Sequence, residues 1–325
     1  FDTDVAVVGS GFGGSVAALR LSEKGYRVTV LESGRRFTPD TYPTTSWDLR
    51  RYLFAPRLGL RGIQRLTLLS DVLVLGGAGV GGGSLVYANT LYEPLDEFYE
   101  HSQWSGITDW RAELAPFFDQ AKRMLGATTA PADSPNDRVI REIGERMDAA
   151  HTYRPTEVGV YLSRPGVTDP DPYFGGAGPE RTGCIECGGC MVGCRHGAKN
   201  TLDQNYLYLA EQAGAKVMPE RQVTDVVPLP GGGYEIVSER PGPRRGRDEQ
   251  RLTTEQVVFA AGVLGTVRLL AELVERGRFE HISPRLGELV RTNSESIPGA
   301  TARTIDVDYS QGLAISSSIY PNSQT

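Results

Sequence analysis

The stretch DVAVVGSGFGGSVAALRLSEKGYRVTVLE, Asp4 to Glu32, decides the fold. Asp4-Val5-Ala6-Val7-Val8 is a short apolar run rich in β-branched valine, the composition of a buried strand. GSGFGG follows at once, from Gly9 to Gly14. SVAALRLSEKGY then predicts a helix, with Val16, Ala17, Leu19 and Leu21 to pack on a sheet and Gly25 to end it. Arg27-Val28-Thr29-Val30-Leu31 is a second strand, closed by Glu32. A strand, G-x-G-x-x-G, a helix and an acid after the next strand make a dinucleotide-binding βαβ unit. Each residue type has a reason. Gly9 permits the tight turn, Gly11 leaves room for a pyrophosphate, and Gly14 lets helix and strand pack closely. The helix N-terminus turns N–H groups and a positive dipole end towards the phosphates. Glu32 is expected to accept hydrogen bonds from the adenosine ribose.

Composition narrows the setting. A chain of 325 residues with 39% hydrophobic residues is globular and large enough for two domains. A net charge of −6 argues against nucleic acid as the main partner. No run is long enough for a membrane span, and no secretory apolar segment stands at the start. The chain opens at Phe1, directly before a strand, which predicts that the natural N-terminus lies further upstream. All four cysteines sit in one loop, unlike a secreted disulfide framework, so a cytoplasmic location is expected.

Other segments return to the nucleotide fold. Leu73-Val74-Leu75 leads into GGAGVGGGSLVYANT, where clustered glycines let backbone amides lie against a large flat or charged ligand. VMPERQVTDVVPLPGGGYEIVSER reads as a β-meander. QVVFAAGVLGTVRLL predicts a strand from Gln256 to Ala260, a tight turn at Ala261-Gly262 and a helix from about Gly265. A Rossmann unit, a distant glycine loop, a meander and a returning strand favour a two-part flavin domain over an NAD domain.

Four stretches carry a resemblance. They are VVGSGFGGSVAALRL (Val7 to Leu21), GAGVGGGSLVYANTLY (Gly77 to Tyr92), DPYFGGAGPERTGCIECGGCMVGCRHGAKNTLDQNYL (Asp171 to Leu207) and TNSESI (Thr292 to Ile297). On these the chain resembles the glucose–methanol–choline (GMC) flavoprotein oxidoreductases, in their bacterial cholesterol-oxidase-like branch. The resemblance implies an α/β fold: an FAD-binding, Rossmann-like doubly wound sheet with a β-meander and an inserted substrate or cap region. Residues 1–92 with 200–275 would form the discontinuous FAD-binding domain, and 93–199 with 276–325 the substrate or cap region. It implies oxidation of a CH–OH group on a bulky apolar alcohol such as a 3β-hydroxysteroid, with hydride passing to FAD. Oxygen or another acceptor would reoxidise the flavin.

Residue by residue, the resemblance sets Gly9, Gly11 and Gly14 on the pyrophosphate and Glu32 on the ribose. Gly82, Gly83, Tyr87 and Ala88 match the segment beside the pyrophosphate and the flavin ring, Val223 an adenine contact, and Ala261 and Gly262 the turn beside the cofactor. Tyr87 stands where steroid oxidases commonly carry Asn, and Gly265-Thr266 where many members carry Ser-Pro. The family's catalytic His belongs to a segment beyond residue 325, so the C-terminal part of the fold is expected to be missing. None of His101, His151, His196 and His281 sits in that catalytic context, and no catalytic residue is assigned.

The middle of the chain predicts two helices. One runs from Trp110 to Leu125 behind an Asp109 cap, with an apolar face of Leu114, Phe117, Phe118, Ala121 and Leu125. The other runs from Asp137 to Ala149, with Val139, Ile140, Ile143 and Met147 on one face. Ser46 to Leu69 mixes apolar residues with five arginines. It reads either as a lid for a greasy substrate, in peripheral contact with a membrane, or as a partly buried cover over the cofactor.

CIECGGCMVGC holds Cys184, Cys187, Cys190 and Cys194 at the spacing C-x2-C-x2-C-x3-C. Three readings stand open. The run matches the bacterial ferredoxin pattern for an iron–sulfur cluster, without its following proline. Zinc on thiolates is a second reading, though its ligands usually come as two separated knuckles. Free thiols or one disulfide in a structural loop is the third. The loop's position before Ala198-Lys199 is similar to cluster-bearing GMC dehydrogenases. An alternative function follows: a flavin and iron–sulfur electron-transfer subunit serving a cytochrome or quinone.

Overall fold

The strands and helices follow from the patterns just read, and a computed structural model describes them over residues 1–244, 248–293, 295, 297 and 299–322. The first half holds β1 (Thr3–Val8), α1 (Phe12–Glu23), β2 (Val28–Leu31), β3 (Gln64–Leu68), β4 (Leu73–Gly77), α2 (Trp110–Met124) and α3 (Pro135–Arg146). The second half holds α4 (Tyr206–Gln212), β5 (Lys216–Met218), β6 (Gln222–Pro228), β7 (Tyr234–Glu239), β8 (Gln250–Phe259) and α5 (Gly262–Glu275). The chain divides into two units. One is 1–86 with 202–299, and the other is 87–201 with 300–325.

The first unit is built on a six-stranded sheet in the order β5-β2-β1-β8-β7-β6. β5, β2, β1 and the end of β8 run parallel, whereas β8, β7 and β6 form an antiparallel meander. β8 serves both halves. Gln250 to Thr254 pairs antiparallel with β7, and Thr254 to Phe259 pairs parallel with β1. The strand therefore starts six residues before the Gln256 that the hydrophobic run suggested. Its early part is mostly polar and begins with exposed Gln250 and Arg251. It is held by the ladder and by a cross-strand Arg251–Glu235 ion pair at 2.7 Å, which no apolar pattern reveals.

A core of Ala6, Val8, Leu31, Val226, Ile236 and Leu273 fills one face of the sheet, with Phe259 and Phe279 packed against it. Phe279 explains a difference in the domain boundaries. Residues 276–299 fall in the first unit, not with the substrate region, because Phe279 packs on Tyr234 and Phe259 while Arg278 pairs with Asp225 at 2.9 Å.

α1 corrects a second expectation. Its buried side is Gly14, Ser15, Ala18, Leu19 and Ser22, while Val16 is exposed. Small side chains allow α4 to lie against α1, with Leu207 and Ala210 fully buried. The segment from Ser46 to Leu69 splits its character. Phe54 and Ile63 are buried, whereas Leu58 and Leu68 are exposed.

The second unit is mostly loops and short strands around Ala130, Val158, Val160, Ala198 and Leu313. Asp109 caps α2 as expected, accepting from Ala112 N at 3.1 Å. Leu125 is buried and Leu114, Phe118 and Ala121 are half-buried, but Phe117 is 63% exposed. In α3 the expected core stripe is largely uncovered: Val139, Ile143 and Met147 are exposed and Ile140 is half-buried. The buried residues are Asp137 and Gly144. A Cβ on Gly144 would stand 3.2 Å from Ile319, so only glycine allows that close approach without adjustment. Asp137 accepts hydrogen bonds from Ser134, Ser316 and Ser317. Polar and steric needs override the apolar stripe. Among the described residues no helix is long and apolar enough to cross a membrane.

Candidate cofactor site

Two glycine loops of the first unit meet at the C-terminal end of β1. Gly9 takes φ +100°, and a Cβ there would lie 2.4 Å from Ala260 O. Only glycine fits where the loop turns against β8. A Cβ on Gly14 would lie 2.0 Å from Gly9 O, so this residue sets how closely α1 approaches β1. Gly82 takes φ +53° and presses on the first loop, with Gly11 Cα 2.6 Å from where its Cβ would be. Space is left at other positions. A Cβ on Gly11 has its nearest neighbour at 4.0 Å, and one on Gly13 meets nothing within 4 Å. A Cβ on Gly83 would meet only Phe12, at 3.6 Å. Open backbone at the N-terminus of α1 is the chemistry of a phosphate cradle.

A buried network ties the cradle together. Glu32, 5% exposed at the end of β2, accepts from Ser10 N at 3.1 Å, Ser10 Oγ at 2.7 Å and Gly34 N at 2.8 Å. Ser10 Oγ in turn accepts from Gly81 N at 3.1 Å. One hydroxyl therefore links the acid to both glycine loops. The sequence reading missed Ser10. Its only signal was a hydrogen-bonding residue inside the G-x-G turn. Ser84 works similarly, donating to Gly81 O at 2.7 Å and accepting from Leu202 N at 3.0 Å.

Two more segments converge on this end of the sheet. Arg221 N donates to Glu32 O at 2.7 Å and Glu220 N to Gly34 O at 2.8 Å, which brings Val223 towards the Glu32 side. Ala260 N donates to Val8 O at 2.9 Å, and this places Ala261 and Gly262 beside Gly9. α5 begins at Gly262, three residues earlier than predicted. Thr266 is the reason, since its Oγ accepts from Ala261 N at 3.0 Å and secures the turn. Asp203, beside the Gly81 loop, is buried with Oδ1 unbonded, and Asn205 is buried with Nδ2 unbonded. Both were absent from the predicted set.

The structure therefore gathers Gly9, Gly11, Gly14, Glu32, Gly82, Gly83, Val223, Ala261 and Gly262 in the first unit. Tyr87 and Ala88 belong to the second. There the Tyr87 hydroxyl donates to Asn200 O at 3.2 Å, and the Lys199 ammonium lies 4.6 Å from the centre of its ring. Burial pushes the Tyr87 phenol well above its ordinary pKa, so it serves as a neutral packing and hydrogen-bonding group. Of the TNSESI motif, Ser294 and Ser296 lie outside the described residues.

The cysteines also lie in the second unit. Cys184, Cys190 and Cys194 pack against its apolar core, and Cys187 is exposed. All four are free thiols in this structure. Among the described residues no three His, Cys, Asp or Glu groups are placed to hold a metal ion. Burial, followed by the neighbouring thiols, pushes the Cys184 thiol up to about 11, and burial raises Cys190 as well. Neither is set up as a nucleophile.

Comparisons with known proteins agree with this geometry. Residues 7–57 match the NAD(P)-binding Rossmann-like domain and residues 179–273 the GMC oxidoreductase domain. The chain is 54% identical to a cholesterol oxidase of Mycobacterium tuberculosis and 42% identical to one of Acinetobacter baumannii. Each likeness spans 100% of this chain, but only 57% and 60% of those proteins. The fold is similar to that of pyridoxine 4-oxidase from Mesorbium loti, with a TM-score of 0.52 at 19% identity over 82% of this chain and 51% of that one. A GMC oxidoreductase match beside the dinucleotide cradle, and likeness along the full length, carry one conclusion: the chain belongs to the GMC oxidoreductases.

Proposed function

We propose that this chain supplies the FAD-binding part of an oxidoreductase that oxidises the CH–OH group of a bulky apolar alcohol of the sterol class. The observation that carries the reading is the double glycine cradle tied through Ser10 to Glu32. The cholesterol oxidases that match the whole chain supply the substrate class. When bound, the flavin accepts a hydride from the alcohol carbon.

The chain's own residues bind and orient. Gly11, Gly13 and Gly83 leave backbone open for the pyrophosphate, and the N-terminus of α1 faces it with a positive dipole end. Glu32 stands at the ribose end and Val223 at the adenine end, with Ala261 and Gly262 beside the flavin. Tyr87 and Ala88 are proposed for the flavin edge, Tyr87 as a packing group. No residue of this chain is assigned the alcohol proton. Oxygen, or another electron acceptor, would take up the electrons removed from the alcohol. Exposed Leu66, Leu68, Leu69, Val72 and Leu73 on the β3–β4 hairpin support peripheral contact with the lipid surface that would deliver such a substrate. Four cysteines without a disulfide fit a reducing, cytoplasmic setting.

The test uses the protein in its full length. Its cofactor is released and identified, and the loaded protein is mixed without oxygen with a 3β-hydroxysterol. Bleaching of the flavin, with a ketone formed in equal amount, is the expected result. Nicotinamide in place of flavin, or no bleaching by any sterol or long-chain alcohol, would overturn the reading. Peroxide formed once air is admitted marks oxygen as the acceptor, and turnover only with a dye marks another.

A further inference from the structure

We propose that Arg65, on the β3–β4 hairpin and outside the βαβ unit, holds the adenosine half of the dinucleotide at the end of β2. The role rests on the dinucleotide reading and holds for any cofactor with an adenosine half.

The spacing of the βαβ unit gives the ribose to Glu32. An ionised carboxylate has about four acceptor positions. Four donors of the chain already reach this one. Ser10 N and Ser10 Oγ donate to Oε2 at 3.1 and 2.7 Å, and Gly34 N and Ser33 Oγ donate to Oε1 at 2.8 and 3.3 Å. Glu32 is therefore the hub that joins the loops, and its acceptor capacity is used inside the protein. A ribose at this end needs a further partner.

Arg65 stands next to that hub. Its Nη2 donates to Ser33 Oγ at 3.2 Å, and its Cζ lies 4.8 Å from the centre of the buried Phe54 ring. The bond to Ser33 is the one hydrogen bond of this side chain among the described residues, although a guanidinium carries several N–H donors. Among those residues it also forms no ion pair. The other acid at this end is committed. Glu220, whose N donates to Gly34 O, takes Arg61 at 2.6 Å and Arg240 at 2.8 Å. Burial disfavours the charged form of Arg65, and the charge of Glu32 opposes this. A half-buried guanidinium with idle donors is costly until a ligand supplies acceptors.

Space for one lies beside it. Directly opposed residues of an antiparallel pair share a face of the sheet. Arg65 is opposed by Gly76, where a Cβ would meet nothing within 4 Å, so that face of the hairpin is open next to the guanidinium. Ribose oxygens, adenine nitrogens and the adjoining phosphate are all acceptors, and a planar guanidinium also stacks on a flat ring. The contacts to Ser33 and Phe54 fix the group in advance.

The test uses the full-length protein stripped of its cofactor. Affinities for ADP and for FAD are measured by calorimetric titration, and the Tm of the stripped protein by circular dichroism. Arg65→Gln should weaken ADP and FAD alike by about ten- to a hundredfold, the range of one charge-assisted hydrogen bond. Its stripped Tm should stay within about 3 °C of the parent. Arg65→Lys keeps the charge but not the planar fork and should fall between the two. Arg36→Gln, which breaks only the 2.6 Å pair with Glu211, is the control and should leave both affinities unchanged. An unchanged ADP affinity in Arg65→Gln would overturn the assignment and leave the flavin reading intact. So would an affinity loss accompanied by a larger fall in the stripped Tm, which marks a residue that only supports the hairpin. ADP affinity that falls in Arg65→Gln of a protein that takes up no flavin would uphold Arg65 and remove the flavin reading instead.

Discussion

Replacing Ser10 by alanine removes one oxygen and breaks two buried bonds. Ser10 Oγ donates to Glu32 Oε2 at 2.7 Å and accepts from Gly81 N at 3.1 Å. A hydrogen bond to a charged group contributes about 1.5–3 kcal/mol, and a buried N–H left without a partner costs about 1–3 kcal/mol. Glu32 keeps its bonds from Ser10 N and Gly34 N, so the lower parts of both ranges apply. The expected loss is about 3 kcal/mol, and for a unit of this size the Tm falls by roughly 6–12 °C. Thermal unfolding followed by circular dichroism measures it. A double-mutant cycle with Glu32→Gln isolates the shared bond and should give a coupling of about 1–2 kcal/mol. The cofactor should also dissociate faster, because Gly81 and Gly82 lose their tie to the first loop. A Tm within about 2 °C of the parent, together with no coupling to Glu32, would refute the network as the support of the cradle.

Three further outcomes are expected. Gly14→Ala places a Cβ 2.0 Å from Gly9 O and should cost about 3 kcal/mol, whereas Gly13→Ala meets nothing within 4 Å and should keep its stability while weakening cofactor binding. Titration of the bound cofactor and a melting curve separate the two effects. Burial raises the Asp137 carboxyl, but hydrogen bonds from Ser134, Ser317 and Ser316 outweigh it and hold the group below its ordinary value of 3.8. That stability is present above the unfolded value and lost as pH falls through the folded one, so denaturant unfolding between about pH 6 and pH 2 should weaken less steeply in Asp137→Asn. Phe279→Ala should destabilise the first unit by about 2 kcal/mol, and an unchanged Tm would return residues 276–299 to the other unit.

Much of the cofactor unit was legible in the chain. The order of β1, glycine turn, α1, β2 and Glu32 could be read directly, since a βαβ turn makes local demands. Gly9 must adopt a positive φ and Gly14 must lack a side chain, and each need falls on one residue. The sheet edges and helix faces were less legible. The early part of β8 is polar because ladder and ion pairs hold it. The apolar stripe of α3 misled because Asp137 and Gly144 answer to residues far along the chain.

The sequence by itself determined a dinucleotide fold, its glycine cradle and a four-cysteine loop, because turn chemistry and short spacings are written in consecutive residues. Only the tertiary structure decided that Ser10 joins Glu32 to Gly81, that Tyr87 is anchored beside Lys199, and that Arg181 donates to the Lys199 carbonyl. Those contacts join residues up to 112 positions apart. Their partners are chosen by where the folded backbone passes and by the need to satisfy buried polar groups, neither of which is written in local sequence.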